Sequence, residues 1–247
     1  AGRGNHLHRK LMRARQRHLN PRFAGAQFVL DSRYINQSDS TAVSTWSDRS
    51  GNAYDATQAT STRQPTFRTG IRGGNGVVRF DGNSDWLRST VNSATVIPDD
   101  LTYIFTLNQT ATSFYGFVLN VYGGTGRARG VLRANPGNGE LLFEYSGGAA
   151  SVASTAIWAL NTWYIFTIKK SGSDVSFYFS GAFDSTKTAT FLTPTATTWE
   201  IGSGGQNLNL YYPGDLGQMV VVNSALSDAL RKRIERGQGY SFKIACS

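Results

Sequence analysis

Cysteine occurs once in the 247 residues, at Cys246. No internal disulfide can staple the fold, so packing alone must hold it together, as suits a reducing cytoplasm. Histidine is nearly as scarce, and all three copies (His6, His8, His18) lie near the start. From residue 23 onward there is no imidazole for a Ser-His-Asp or Cys-His relay, nor for a His-ligated zinc. No run approaches the ~20 consecutive apolar residues of a membrane span. The Arg-rich start lacks the apolar stretch of a secretory signal. The expectation is a protein that is neither exported nor held in a membrane.

Acids are missing from residues 1–22. Arg3, Arg9, Lys10, Arg13, Arg15, Arg17 and Arg22 stand there unopposed, while the remainder carries 18 basic and 16 acidic side chains. Most of the formal net charge of +9 therefore sits in a short arm. Leu7, Leu11 and Ala14 have helical spacing, and Pro21 ends the pattern. Alone, such a helix is marginal, because it is short and Arg9–Arg13 and Arg13–Arg17 repel at i,i+4. The arm is expected to order against a partner, best another protein chain, with arginines paired bidentately to carboxylates and Leu7 and Leu11 in apolar notches. Nucleic acid fits less well, since residues 23–247 add little charge and no aromatic is interleaved with the arginines.

Beyond the arm, the chain reads as strand and turn. Apolar residues make up 40% and aromatics 12%, with 27 glycines, a composition suited to pleated sheets with many turns. Phe28–Asp31, Gly76–Gly82, Leu101–Leu107, Trp163–Ile168, Val175–Gly181 and Met219–Val222 read as strands bounded by Gly, Asn, Ser or Pro. Leu101–Leu107 and Trp163–Ile168 have the near-continuous apolar character of central strands. One helix is expected near the end. Ser227 caps it, Asp228 suits its N-terminal dipole, Leu230 and Ile234 form an apolar pair, and Gly237 stops it. Arg231, Lys232, Arg233 and Arg236 are expected on its solvated face.

A series of motifs in order carries a resemblance. Trp46-x-Asp48-x-Ser50-Gly51-Asn52, Asp55-Ala56-Thr57, Gln64-Pro65, Val77-x-x-Phe80-Asp81-Gly82 and Trp86-Leu87 come first. Asn161-Thr162-Trp163-Tyr164, Val175-x-Phe177-Tyr178-x-x-Gly181, Ile201-Gly202, Tyr212-x-Gly214-x-Leu216-Gly217, Val220–Val222 and Ala225-Leu226-Ser227 complete the series. Together these resemble laminin-G-like domains of the concanavalin A-like lectin/glucanase superfamily, over residues 24–244. The resemblance implies an all-β, antiparallel jelly-roll sandwich over residues 23–247, with one short C-terminal helix and the basic arm before it. Chains of this kind that carry a short arm and no signal resemble structural proteins of tailed bacteriophages. That implies a non-enzymatic virion component assembled in the host cytoplasm. A capsid decoration or cement protein fits first, pinned to other virion proteins through its arm; a tail, baseplate or fibre component is the alternative. A carbohydrate-binding module for host-surface glycans is the competing class, and a homo-oligomer fits any of them.

Candidate chemistry is sparse. Superfamily glycosidases use carboxylates in a Glu-x-Asp-x-x-Glu pattern; here Glu140 and Glu144 flank three apolar residues with no Asp between them. No enzyme and no cofactor is expected. Asp48, Asn52, Asp81 and Asp85 offer oxygens that could suit calcium, yet Asp and Asn also close turns through their own side chains, which is the preferred reading. For glycans, Tyr211 and Tyr212 beside Gln206 and Asn207 are the candidate aromatic platform and planar amides. Trp46, Trp86, Trp163 and Trp199 are expected in the core.

Overall fold

The computed structural model describes residues 25–89, 100–111, 116–123, 126–127, 129–134, 139–145, 150–189, 198–204 and 210–247. The arm, with Leu7, Leu11 and its seven cations, lies outside them, as do Gln206 and Asn207.

Two antiparallel sheets, nine strands each among the described residues, face one another. The first contains β1 (Ala26–Asp31), β2 (Thr41–Ala42), β5 (Thr66–Arg72), β6 (Asn75–Asp81) and β8 (Leu101–Gln109). It also contains β14 (Trp163–Ser171), β15 (Asp174–Phe179), β16 (Ala182–Thr188) and β18 (Pro213–Val222). Its order is β16-β15-β14-β8-β18-β6-β5-β2, with β1 also paired to β18. The second contains β3 (Thr45–Trp46), β4 (Ala56–Thr57), β7 (Leu87–Ser89), β9 (Gly116–Gly123) and β10 (Gly126–Arg127). With them are β11 (Arg129–Ala134), β12 (Glu140–Tyr145), β13 (Ala150–Ile157) and β17 (Thr198–Ile201), in the order β13-β12-β11-β9-β17-β7-β4-β3. This is the sandwich the motif series implies.

Alternation decides what each face holds. In β8, Tyr103, Phe105 and Leu107 point between the sheets, where they join Trp46, Phe143, Phe166, Trp199 and Met219 in the main core. The intervening Ile104 faces the other way and packs with Val29, Ile165, Val220, Ile234 and Phe242 in a second apolar layer. Both faces of β8 are thus covered, which is why its sequence reads as one apolar run. The β15–β16 connection is a two-residue turn with Ser180 at φ 47° and Gly181 at φ 90°. Positive φ at both positions gives the twist that matches the flanking strands.

The second apolar layer is closed by helix α1 (Asp228–Phe242). Ser227 caps it by accepting the Leu230 N–H, and Asp228 occupies the first turn. Three expectations need correction. Gly237 does not stop the helix, which runs to Phe242 and ends at Lys243 in the left-handed region. Packing overrides propensity there: a Cβ on Gly239 would lie 2.6 Å from the Ile244 carbonyl oxygen, so the glycine permits the last turn to meet the terminal segment. Leu230 is exposed, and Ile234 alone of that pair is buried. Arg231 is not on the solvated face with Lys232, Arg233 and Arg236. It is buried, donates from Nη1 to both oxygens of Glu235 at 2.8 and 2.6 Å, and stacks 3.7 Å over the Tyr178 ring. Thr167 Oγ1 donates to the same carboxylate at 2.6 Å, tying helix to sheet.

The helix C-terminus needs partners for its free carbonyls. Asn75 Nδ2 donates to the Ser241 carbonyl at 2.5 Å and Arg72 Nη2 to that of Lys243 at 2.9 Å. The β5–β6 turn thereby caps the helix.

Candidate functional site

On the outer face of the first sheet, α1 packs against apolar side chains, and the buried Thr106 and Thr167 bond Gln238 and Glu235 of the helix. The outer face of the second sheet also carries buried polar side chains. Trp199 and Ile201 of β17 enter the core, so Glu200 between them faces outward. Leu119 and Val121 of β9 do the same for Asn120. Arg88 comes directly after Leu87, another core residue, in β7. Register places the three side by side, because Glu200 pairs with Arg88 on one flank and Asn120 on the other. Alternation with Phe143 puts Glu144 of β12 on the same face, where it is also buried.

Within this row, Arg88 Nη2 donates to Glu200 Oε1 at 2.5 Å, and the guanidinium lies 4.9 Å from the Trp86 ring centroid. The Arg88 side chain is 33% exposed, Glu200 1% and Asn120 0%. Glu200 Oε2, both Asn120 amide atoms and Trp86 Nε1 have no hydrogen-bond partner among the described residues. A buried polar atom left unpaired costs about 1–3 kcal/mol, so four of them around one patch require an explanation. A carboxylate oxygen and an amide oxygen accept, while an amide N–H and an indole N–H donate. Those are the groups that recognise neighbouring hydroxyls on a polyol.

The sites expected from sequence are distributed differently. Tyr212 is fully buried in the main core, its ring 6.3 Å from Phe80, and Tyr211 is 6% exposed. Neither forms an open platform. The Tyr212 N–H donates to the Gly202 carbonyl and Tyr211 bridges to Ser203, which draws both tyrosines in. Gly214 leaves the room, since a Cβ there would lie 2.7 Å from Tyr212 Oη. Burial raises the Tyr212 phenol well above its usual range.

Trp46 and Trp199 are core residues as expected, and Trp163 is half-buried against Phe242. Trp86 is buried but stands outside the core clusters, beside the polar row. Glu140 and Glu144 share a face of β12 with Leu142 between them.

The acidic turn residues close turns. Asp48 accepts the backbone N–H of Val29, Ser50 and Tyr54 at 2.9, 2.9 and 3.1 Å. Asn52 Nδ2 donates to the Gln27 carbonyl at 2.9 Å. Asp81 accepts from the N–H of Asn83, Ser84 and Asp85, which outweighs its partial burial and lowers its pKa. Asp85 accepts the Asp81 N–H, but burial, with the Asp81 charge beside it, pushes it up to about 7. Among the described residues no three His, Cys, Asp or Glu side chains converge as a metal site would require. Burial raises the Cys246 thiol to about 11, so it stays protonated at neutral pH.

Trp86, Arg88, Asn120 and Glu200 are not recognisable as a set in the sequence. The legible signal was a single polar residue inside an apolar strand: Asn120 within Phe117-Val118-Leu119-Asn120-Val121, and Glu200 between Trp199 and Ile201.

No protein-family model and no curated protein matches the chain. Solved structures do. A Trypanosoma rangeli sialidase in complex with 2,3-difluoro-KDN has a TM-score of 0.66 at 14% identity, covering 98% of this chain and 40% of that one. The binding domain of Paraclostridial Mosquitocidal Protein 1 gives 0.63 at 14% identity, over 87% of this chain and 52% of that one. Domain 4 of AbnA, a GH43 extracellular arabinanase from Geobacillus stearothermophilus in complex with arabinotriose, gives 0.58 at 12% identity, over 81% and 99%. The chain thus spans about 40% of the sialidase chain it matches. At such identities the likeness is one of fold: a concanavalin A-like β-sandwich.

Proposed function

We propose that this chain is a non-catalytic carbohydrate-binding module that recognises glycans on the outer face of the second sheet. The observation that carries the reading is the row Arg88–Glu200–Asn120, with Trp86 beside it, which holds enclosed hydrogen-bonding atoms that no described residue satisfies. A pair of adjacent sugar hydroxyls matches them. One donates to Glu200 Oε2; the other donates to Asn120 Oδ1 and accepts from Nδ2. Access runs through Arg88, a third of whose side chain meets solvent. When its Nη2 leaves Glu200, the carboxylate is open to a hydroxyl donor. The arabinanase domain, nearly all of which aligns with this chain and which was solved with arabinotriose, supports a glycan ligand.

A glycan array on the full chain tests this. Reproducible hits that disappear in Asn120→Leu and in Glu200→Gln are expected. Hits untouched by both substitutions would move the site elsewhere, and an array without hits would remove the reading.

A second reading rests on the charge of residues 1–22. A bacteriophage particle protein anchored by its arm, as head decoration or as a tail, baseplate or fibre component, would use those cations on a carboxylate-rich lattice. The sandwich would then be displayed to host glycans, so the two readings are compatible. Deleting residues 1–22 should abolish incorporation into particles while leaving the sandwich folded; full incorporation of the truncated chain would refute the anchoring role.

A further inference from the structure

A second, independent cleft opens at the end of the sandwich where β1 and β3 approach. It encloses about 230 Å³, and its lining includes Asp31, Tyr34, Asn36, Gln37, Trp46 and Arg49. That volume is below the range of pockets that take drug-sized ligands, and suits one sugar ring.

Its chemistry is specific. Asp31 is saturated, accepting from the Arg33 N–H at 3.1 Å, Arg33 Nε at 2.8 Å and Gln218 Nε2 at 2.9 Å, and also from Arg33 Nη2. The charges of Asp31 and Arg33 therefore cancel. Arg49 has no carboxylate partner among the described residues, and its guanidinium stacks 4.3 Å over the half-exposed Tyr34 ring. Stacking occupies the flat face of a guanidinium and leaves its in-plane N–H fork free, the geometry that takes a carboxylate bidentately. Trp46 is 1% exposed, yet its Nε1–H has no partner among the described residues. The Asn36 and Gln37 amides stand exposed beside it.

We infer that this cleft binds a carboxylated sugar residue, its carboxylate on Arg49, its hydroxyls on the Asn36 and Gln37 amides, and an oxygen accepting from Trp46 Nε1. It shares no residue with the row on the second sheet, so the chain would hold two sugars at once.

The test is an NMR titration of the ¹⁵N-labelled full chain with methyl β-glucuronide and, separately, methyl β-glucoside. The glucuronide should shift the Trp46 indole N–H saturably, and the glucoside should bind about tenfold more weakly, as loss of one charge-assisted bond requires. Arg49→Ala should bring the two affinities together, and Arg49→Lys, which keeps the charge without the fork, should fall between. Asn120→Leu should leave the Trp46 shift intact, which separates this cleft from the proposed glycan face. No indole shift with either ligand, equal binding of the two by wild type, or loss of the shift in Asn120→Leu would each overturn the inference.

Discussion

Replacing Asn120 with leucine should make the protein more stable while removing ligand binding. Asn120 is wholly enclosed, and neither its Nδ2 nor its Oδ1 has a partner among the described residues. Each such unmade bond costs about 1–3 kcal/mol, and an apolar group of similar shape avoids it. Leucine branches differently and is slightly larger, so misfit should return roughly 1 kcal/mol. The net gain for the two atoms is about 1–5 kcal/mol, which at this chain length corresponds to roughly 3–15 °C in Tm. Urea titration should show a higher midpoint with an unchanged slope, marking a change in stability rather than in the unfolding reaction. Stability and binding moving in opposite directions is the signature of a site whose polar groups serve a ligand. If Asn120→Leu is instead destabilised by more than about 1 kcal/mol, the amide is satisfied in solution by ordered water, and the row is structural.

The same geometry dictates three more outcomes. Arg88→Ala leaves the Glu200 carboxylate enclosed without its cation and should cost about 3 kcal/mol, while the double variant Arg88→Met/Glu200→Leu should recover most of it; a denaturant double-mutant cycle measures both. Arg231→Met strands the buried Glu235 in the same way, should cost about 3–5 kcal/mol, and should loosen α1 in hydrogen exchange before the sheets. Asp85 has its folded pKa raised to about 7 from 3.8. Its contribution is fully present below the unfolded value and is lost as pH rises through the folded one. The stability advantage of Asp85→Asn over wild type should therefore grow from pH 4 to about pH 7 and then level off, as read from melting temperatures across that range.

Much of the scaffold was legible because it obeys short-range rules. Leu101–Leu107 and Met219–Val222 announce buried strands, Ser227 and Asp228 announce a helix start, and Asp48 and Asp81 announce turns that fold back on their own carboxylates. The features that escaped depend on contacts distant in sequence. Arg231 reads as one of a solvated basic group, yet Glu235 one turn later and Tyr178 on the sheet bury it. Gly237 reads as a stop, but the close approach of the terminal segment to Gly239 continues the helix. Tyr211 and Tyr212 read as loop aromatics, although pairing to Ser203 and Gly202 draws them inward. The polar row was hidden most deeply. Arg88, Asn120 and Glu200 meet only because β7, β17 and β9 are neighbours, and no local pattern encodes that order.

In the proposed site the enclosed amide of Asn120 meets a sugar hydroxyl, and its side-chain NH₂ resonances report this directly. In a titration with a glycan that binds the full chain on the array, those two resonances should shift saturably, with the same affinity as the Trp86 indole N–H. Saturable binding that leaves both groups unmoved would exclude Asn120 and Trp86 from the glycan site.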